Sequence, residues 1–423
     1  MALFFRTSAF SRVTALAAQR PIHAAFAWLH NNPKVLTDWQ TELVAVPAPP
    51  FGEEVRSAWM AERFRKAGLE EIETDALGNV TGLLYATGLP HDSTGPLVVL
   101  SAHLDTVFPA STEIKPLVTH EDGCYKLEAP GACDNGAGVI GMLAVAHVLK
   151  HVGVELAAPL LFLGNVGEEG EGDLRGVRHF YEQSRYASRV AAHIVLDGAG
   201  AESAVTQALG SRRFEVTVTG PGGHSFTDAG TPNPIVALAG ALSQLAETPL
   251  TVEARTTLNV GTIHGGTSVN SIPESATASV DFRSTNTAEL TRLEVVLHRA
   301  VEDAVDDCNA RAKELNGRLR GTLSYSIKTI GDRPAAVLAT DSPILEALRA
   351  VDRHLGIATE LRLGSTDANI PIAHGLPALS MGAGGEGGGA HTVAEWYTDR
   401  HRDLGLRRVL LLALTLTDWA AEQ

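Results

Sequence analysis

The sequence predicts an α/β domain interrupted by an inserted α+β domain, and three observations carry that prediction. The apolar runs Leu97 to Ala102 and Pro159 to Val166 show no alternation, which suits strands covered by helices on both faces. Strand-like and helical stretches alternate through the first half of the chain and again after Pro343, the order of an α/β sheet. Between about Gly210 and Ile330 the strand-like stretches alternate in period two beside amphipathic helices, the style of half-solvated strands. With 423 residues the chain exceeds a typical single domain, so residues 1–209 and 331–423 are assigned to one domain and 210–330 to an insertion.

From His23 to about Val46 apolar residues recur at helical spacing, and Pro47-Ala48-Pro49-Pro50 stops the helix. Gly52 to Ala67 reads as a second helix closed by Gly68. Strands follow at Val80 to Tyr85 and Leu97 to Ala102. Gly136 to Val152 is a helix with small residues on its first turn, Pro159 to Val166 a buried strand, Gly176 to Ser184 a helix, and His193 to Leu196 a short strand ending at Asp197. In the insertion, Arg213 to Thr219 alternates and Pro232 to Glu247 is an amphipathic helix. Thr256 to Ile263 and Ala276 to Arg283 are strands, Thr287 to Lys313 is a long helix, and Gly321 to Ile330 is a last alternating strand. The α/β style resumes with a helix from Pro343 to His354, a strand at Ala378 to Met381 and a helix beyond His401. Gly382 to Gly389 is the one low-complexity stretch and reads as a flexible loop.

A formal charge of -15 argues against nucleic-acid binding, which needs a basic face. The three cysteines, Cys124, Cys133 and Cys308, show no CxxC spacing and suit a reducing compartment, so a cytoplasmic protein is expected. The first twenty residues carry Arg6, Arg12 and Arg20, no acid and several hydroxyls, and so resemble a targeting segment; Arg12 interrupts the apolar stretch that export would need. No run reaches the roughly 18 apolar residues of a membrane span.

Chemistry concentrates where buried strands end. Gly167-Glu168-Glu169-Gly170 follows the strand Pro159 to Val166, and adjacent acids there need protons or cations to neutralise them, unless the loop is simply solvated. In an extended chain the two glutamates face opposite sides, so one can bind an ion while the other moves a proton. His103-Leu104-Asp105 follows Leu97 to Ala102, and the spacing of two places Asp105 on the side of His103, where a carboxylate can fix the imidazole tautomer; a structurally satisfied histidine has the same spacing. Asp134 precedes a helix, the position of an N-cap. Asp197 ends a strand and His391 follows the glycine loop. Ligands of open α/β sheets bind outside the carboxyl ends of the strands, where His103, Glu168, Glu169 and Asp197 all fall. Asp134, Glu168, Glu169 and Asp197 bring about four negative charges, which two divalent cations balance. Nitrogen and oxygen donors suit zinc, with cobalt or manganese as alternatives. Gly382-Ala383-Gly384-Gly385-Glu386-Gly387 also matches GxGxxG, but no apolar helix follows to receive a pyrophosphate.

The set Ser101-Ala102-His103-Leu104-Asp105-Thr106, Asp134-Asn135-Gly136, Gly167-Glu168-Glu169, Asp197 and His391 resembles the di-zinc exopeptidases and deacylases. That family includes tripeptidase T, glutamate carboxypeptidase, acetylornithine deacetylase and succinyl-diaminopimelate desuccinylase. The resemblance runs through nearly the whole chain, and Cys133 and Asn135 differ from what relatives often carry. It implies a zinc-exopeptidase-like catalytic domain with an inserted lid and dimerisation domain. It implies further that Asp134 bridges two ions, His103 and Asp197 hold one, Glu169 and His391 the other, Glu168 is the general base and Asp105 orients His103. Gly222-Gly223-His224-Ser225 resembles the family's lid histidine, contributed across a homodimer, while Asn270 and Arg283 match residues that contact a substrate carboxylate. The implied reaction is hydrolysis of an amide in a short peptide, or alternatively in an N-acyl amino acid. A non-catalytic binding relative would have lost a ligand or the base, and every position is filled.

Overall fold

The computed structural model describes residues 8–88, 95–316 and 321–423. The chain divides into two compact units, one of Met1–Ala208 with Val337–Gln423 and the other of Leu209–Ala336.

The first unit is built on a nine-stranded mixed sheet. Its order is Glu70–Thr74, Val80–Leu84, Leu160–Asn165, Leu97–His103, Val190–Leu196, Ala378–Met381, Ser203–Ala208 and Ala336–Val337, with Glu360–Gly364 also pairing Ser203–Ala208. The four strands from Leu160–Asn165 to Ala378–Met381 are mutually parallel and the neighbours on either side run antiparallel to them. The absence of alternation has its expected cause. Val98, Leu100, Leu160 and Phe162 enter one apolar core, and Leu97, Val99, Leu161 and Leu163 enter a second on the opposite face. Between two of these strands runs the helix Gly136–Val152, capped by Asn135, closed by Gly153 at φ 65° and buried on nearly every side. Among the described residues no helix is long and apolar enough to cross a membrane.

Two expectations change here. The helix read from His23 to Val46 is two, Arg20–Asn31 and Pro33–Val44, because Pro33 has no N–H to continue the first and suits the opening turn of the second. Ala9–Ala17 is a helix with Val13 and Leu16 buried and Arg12 paired with Asp418 at 3.3 Å, so this part of the first twenty residues packs into the unit; Arg6 lies outside the described residues. The stretch Gly382 to Gly389 is not a loose loop. Glu386–Gly388 pairs with Trp396–Thr398, and a side chain at Gly382 would meet the Ala199 carbonyl at 2.2 Å, so the glycine lets two backbones meet. Strands that sequence reading passed over, such as Glu70–Thr74 and the hairpin Leu117–Glu121 with Cys124–Glu128, are mostly polar and partly exposed, so they lack an apolar period.

The second unit has a four-stranded antiparallel sheet in the order Thr257–Gly265, Ser275–Ser284, Gly210–Thr219 and Ser324–Arg333. One face alternates as expected: Phe214, Val216, Val218, Ala278, Val280 and Phe282 pack with Leu238 and Leu245 of helix Pro234–Ala246 and Leu293 and Leu297 of helix Thr287–Asn316. A two-stranded ribbon joins Gly223–His224 to Ser271–Ile272. The edge strand Thr257–Gly265 is almost wholly exposed, including Val260 and Ile263.

Candidate metal centre

Parallel pairing brings four strand ends to one edge of the first unit's sheet. His103 closes its strand opposite Asn165, the last residue of the neighbouring strand. On the other side Ser101 is in register with Val195, and Asp197, two residues beyond Val195, donates its N–H to the Met381 carbonyl at 3.0 Å. His391 arrives from the segment after Ala378–Met381.

Asp134 sits among these residues with its two oxygens facing different neighbours. Oδ1 is 3.2 Å from His103 Nε2, which is 3.9 Å from Asp197 Oδ1. Oδ2 is 3.1 Å from His391 Nε2, which is 3.1 Å from Glu169 Oε1. Ligand atoms of His103, Asp134 and Asp197 thus form one cluster, those of Asp134, Glu169 and His391 a second, and those of His103, Glu168 and Glu169 a third, each within 4.8 Å. Asp134 is not the N-cap of the following helix. That place belongs to Asn135, whose Oδ1 accepts from Gly138 and Gly198 N–H groups while its amide donates to the Leu196 carbonyl, tying the turn to a strand end.

The tautomer of His103 follows from its partner. Nδ1 lies 3.1 Å from the Asp105 main-chain carbonyl, which can only accept, so Nδ1 carries a hydrogen and Nε2, facing Asp134, is the nitrogen whose lone pair a cation would take in place of a proton. The Asp105 carboxylate lies 3.7 Å from Nδ1, an ion-pair distance, and also accepts from the N–H groups of Glu168 at 3.0 Å and Glu169 at 2.8 Å. The two glutamates do not face opposite sides: the strand has ended at Asn165, and Gly167 turns the chain at φ 67°. A side chain at Gly167 would meet Arg175 Nε at 2.5 Å and would have to displace that arginine as well as adopt a left-handed φ, so the position favours glycine.

The donor set fits divalent cations. Two ligands about 2.0 Å from a tetrahedral ion stand roughly 3.3 Å apart, close to three of the four separations around Asp134. Asp134 Oδ1 is buried and makes no hydrogen bond, since its contact with His103 is near but not aligned. Without a cation the site holds protons. Burial lowers the His103 pKa, but Asp105, Asp134 and Asp197 together outweigh it and raise it well above the usual histidine value. The hydrogen bond to Asp134, opposed by burial and helped by Glu169, raises His391 to about 9. Burial pushes Glu169 up to about 7, while for Asp134 the two histidines outweigh burial and hold the carboxyl below the usual range.

In the second unit His224 and Asn270 are neighbours: His224 pairs with Ser271, and Ser225 N–H donates to the Asn270 carbonyl at 3.0 Å. His224 Nδ1 accepts from the Phe226 and Thr227 N–H groups at 3.2 and 3.4 Å, which leaves the hydrogen of the neutral ring on Nε2. Arg283 is not beside them in the ribbon. It lies on the sheet, where its Nε donates to Asp281 at 2.8 Å and Arg213 takes the other Asp281 oxygen at 3.1 Å.

Sequence reading missed several buried charges. The Arg56 guanidinium donates to the Leu104 and Val46 carbonyls, and burial, opposed by Asp105, lowers its pKa to about 10. Asp367 accepts from Asn165 at 2.6 Å, and burial raises it to about 7. Glu395 grips the turn that carries Asp134. Its spacing of four from His391 was the available signal, and without the fold that spacing has no meaning.

Residues 99–415 match the family described as peptidase family M20/M25/M40. A probable carboxypeptidase of Aspergillus flavus is 29% identical over 246 residues, 54% of this chain and 56% of that protein. The aligned part thus spans about half the length of that relative. Among solved structures, the aminopeptidase PepT of Bacillus cereus shares 21% identity with a TM-score of 0.68, covering 92% of this chain and 99% of that one. A tripeptidase of Staphylococcus aureus shares 23% with a TM-score of 0.68, covering 93% and 99%. At such identity the likeness is one of fold, and the fold, together with a family match over most of the chain, places this protein: it belongs to peptidase family M20/M25/M40.

Proposed function

We propose that the protein is a metal-dependent exopeptidase that hydrolyses an amide bond in short peptides. The observation that carries this reading is the division of Asp134, one oxygen toward His103 and the other toward His391. His103 and Asp197 would hold one divalent ion, Glu169 and His391 a second, and Asp134 both. Zinc suits these donors, with cobalt or manganese as alternatives. The ions supply Lewis acidity toward the attacking water and the substrate carbonyl. Glu168 takes the proton from that water and returns it to the leaving amine. Asp105 holds the Glu168 and Glu169 main chain, and its carbonyl fixes the His103 ring. We assign the inserted unit to substrate recognition and dimerisation. His224 Nε2–H is the donor for a carbonyl oxygen; Asn270, beside His224, and Arg283, at the far end of the strand Ser275–Ser284, take one substrate carboxylate only when they come from different copies; and the exposed edge strand Thr257–Gly265 offers unpaired backbone groups to that second copy. The free cysteines suit a cytoplasmic setting.

The test is a panel of dipeptides, tripeptides, C-blocked peptides and N-acetyl amino acids, given to enzyme loaded with zinc, cobalt or manganese. Cleavage of di- or tripeptides is expected. Turnover of only N-acetyl amino acids would move the assignment to a deacylase, and no metal-dependent turnover would end it.

A further inference from the structure

Glu395 is fully buried, with 0% exposure, yet carries a carboxylate. Three main-chain groups satisfy it. Oε2 accepts from Gly131 N–H at 2.8 Å, and Oε1 accepts from Cys133 and Asp134 N–H, both at 2.7 Å. Its own carbonyl accepts from Ala129 N–H at 3.0 Å. Cys133 and Asp134 precede the first residue of helix Gly136–Val152, so the helix itself offers their N–H groups no acceptor. Four residues before Glu395, His391 meets the Asp134 side chain at 3.1 Å. A single five-residue segment therefore holds Asp134 twice, by its side chain through His391 and by its main chain through Glu395.

Burying a carboxylate beside another acid is unfavourable, and charge-assisted bonds to three amides offset that cost while fixing the turn that donates them. We infer that Glu395 is a positioning residue, one that fixes the Asp134 carboxylate so that each oxygen faces its own cluster of ligands. Its effect reaches both ions through Asp134, and it adds a further negative charge near the cations. This inference rests on the metal-dependent reading above.

The test compares the full chain with Glu395→Ala and Glu395→Gln, by zinc affinity in chelator competition and by amide hydrogen exchange of the metal-free protein across residues 129–135. The alanine variant is expected to lose about 10- to 100-fold in affinity at both ions, the range for lost outer-shell partners. It should also exchange faster at Gly131, Cys133 and Asp134. The glutamine variant keeps the side chain's shape and one oxygen, so it should fall between the two and carries the test alone if alanine does not fold. Folded variants with wild-type zinc affinity would overturn the inference while leaving the metal reading intact, as would weakened binding without faster exchange at those three amides. A wild-type chain that binds no divalent ion would sink the metal reading and this inference together.

Discussion

His391 Nε2 stands 3.1 Å from both Asp134 Oδ2 and Glu169 Oε1, so one imidazole nitrogen faces carboxylates from residues 257 and 222 positions away in the chain. Two oxygens and a nitrogen at such spacing share either a proton or a cation. The first prediction decides between them. Purified protein should bind two divalent ions per chain by elemental analysis, and Asp134→Ala should lose both. Selective loss of one ion would show that Asp134 serves a single cluster.

Glu168 and Glu169 are adjacent and both buried, and Glu169 is paired with His391. Glu168→Gln should keep both ions while kcat falls about 10²- to 10⁴-fold, the range of general acid-base catalysis. Glu169→Gln should lose metal. Similar metal content in the two variants would reverse or erase the assignment.

Stability of the metal-free protein should fall as pH rises. Glu169 is raised from 4.5 to about 7 and His391 from 6.5 to about 9, so each binds its proton more tightly in the folded chain. Their contribution is complete below the ordinary values and is lost as pH rises through about 7 and about 9. Asp134 and Asp105 are lowered, so their contribution changes only in acid, outside this window. The Tm in chelator should therefore decline between about pH 7 and 9, above the range in which His193, lowered to about 3 by burial, acts in the opposite direction, and zinc should restore more stability at the alkaline end because cations replace the protons. A flat or rising Tm in chelator would contradict the electrostatics.

If His224 acts across a dimer, neither His224→Ala nor Glu168→Gln should be active alone, while their mixture should recover part of the activity through one intact composite site. Sedimentation should show a dimer at assay concentration. Full activity from a monomer would refute the arrangement.

Asp281 occupies the Nε edge of Arg283, and the two Nη groups are what a substrate carboxylate would engage. Arg283→Lys should lower kcat/KM on free-acid peptides far more than on their C-terminal amides, with a loss of about 2–5 kcal/mol if the pair is buried in the complex. Equal effects on both substrate types would leave Arg283 as the surface partner of Asp281 alone.

The sequence by itself determined the α/β character, the change of style through the insertion, and the residues that end the buried strands. Those features are local: an unbroken apolar run needs cover on both faces, and the residues just beyond its end emerge at a sheet edge. Side-chain direction beyond a strand end was decided only by the tertiary structure. The turn at Gly167 sends Glu168 and Glu169 toward His103, and the Asp105 carboxylate, paired with the imidazole, also takes their N–H groups. The role of Glu395 was equally hidden, since its partners Gly131, Cys133 and Asp134 lie more than 260 positions earlier. Periodicity reports which residues are buried, whereas the partner of a buried charge depends on strand register and turn dihedrals fixed by packing between segments remote in sequence.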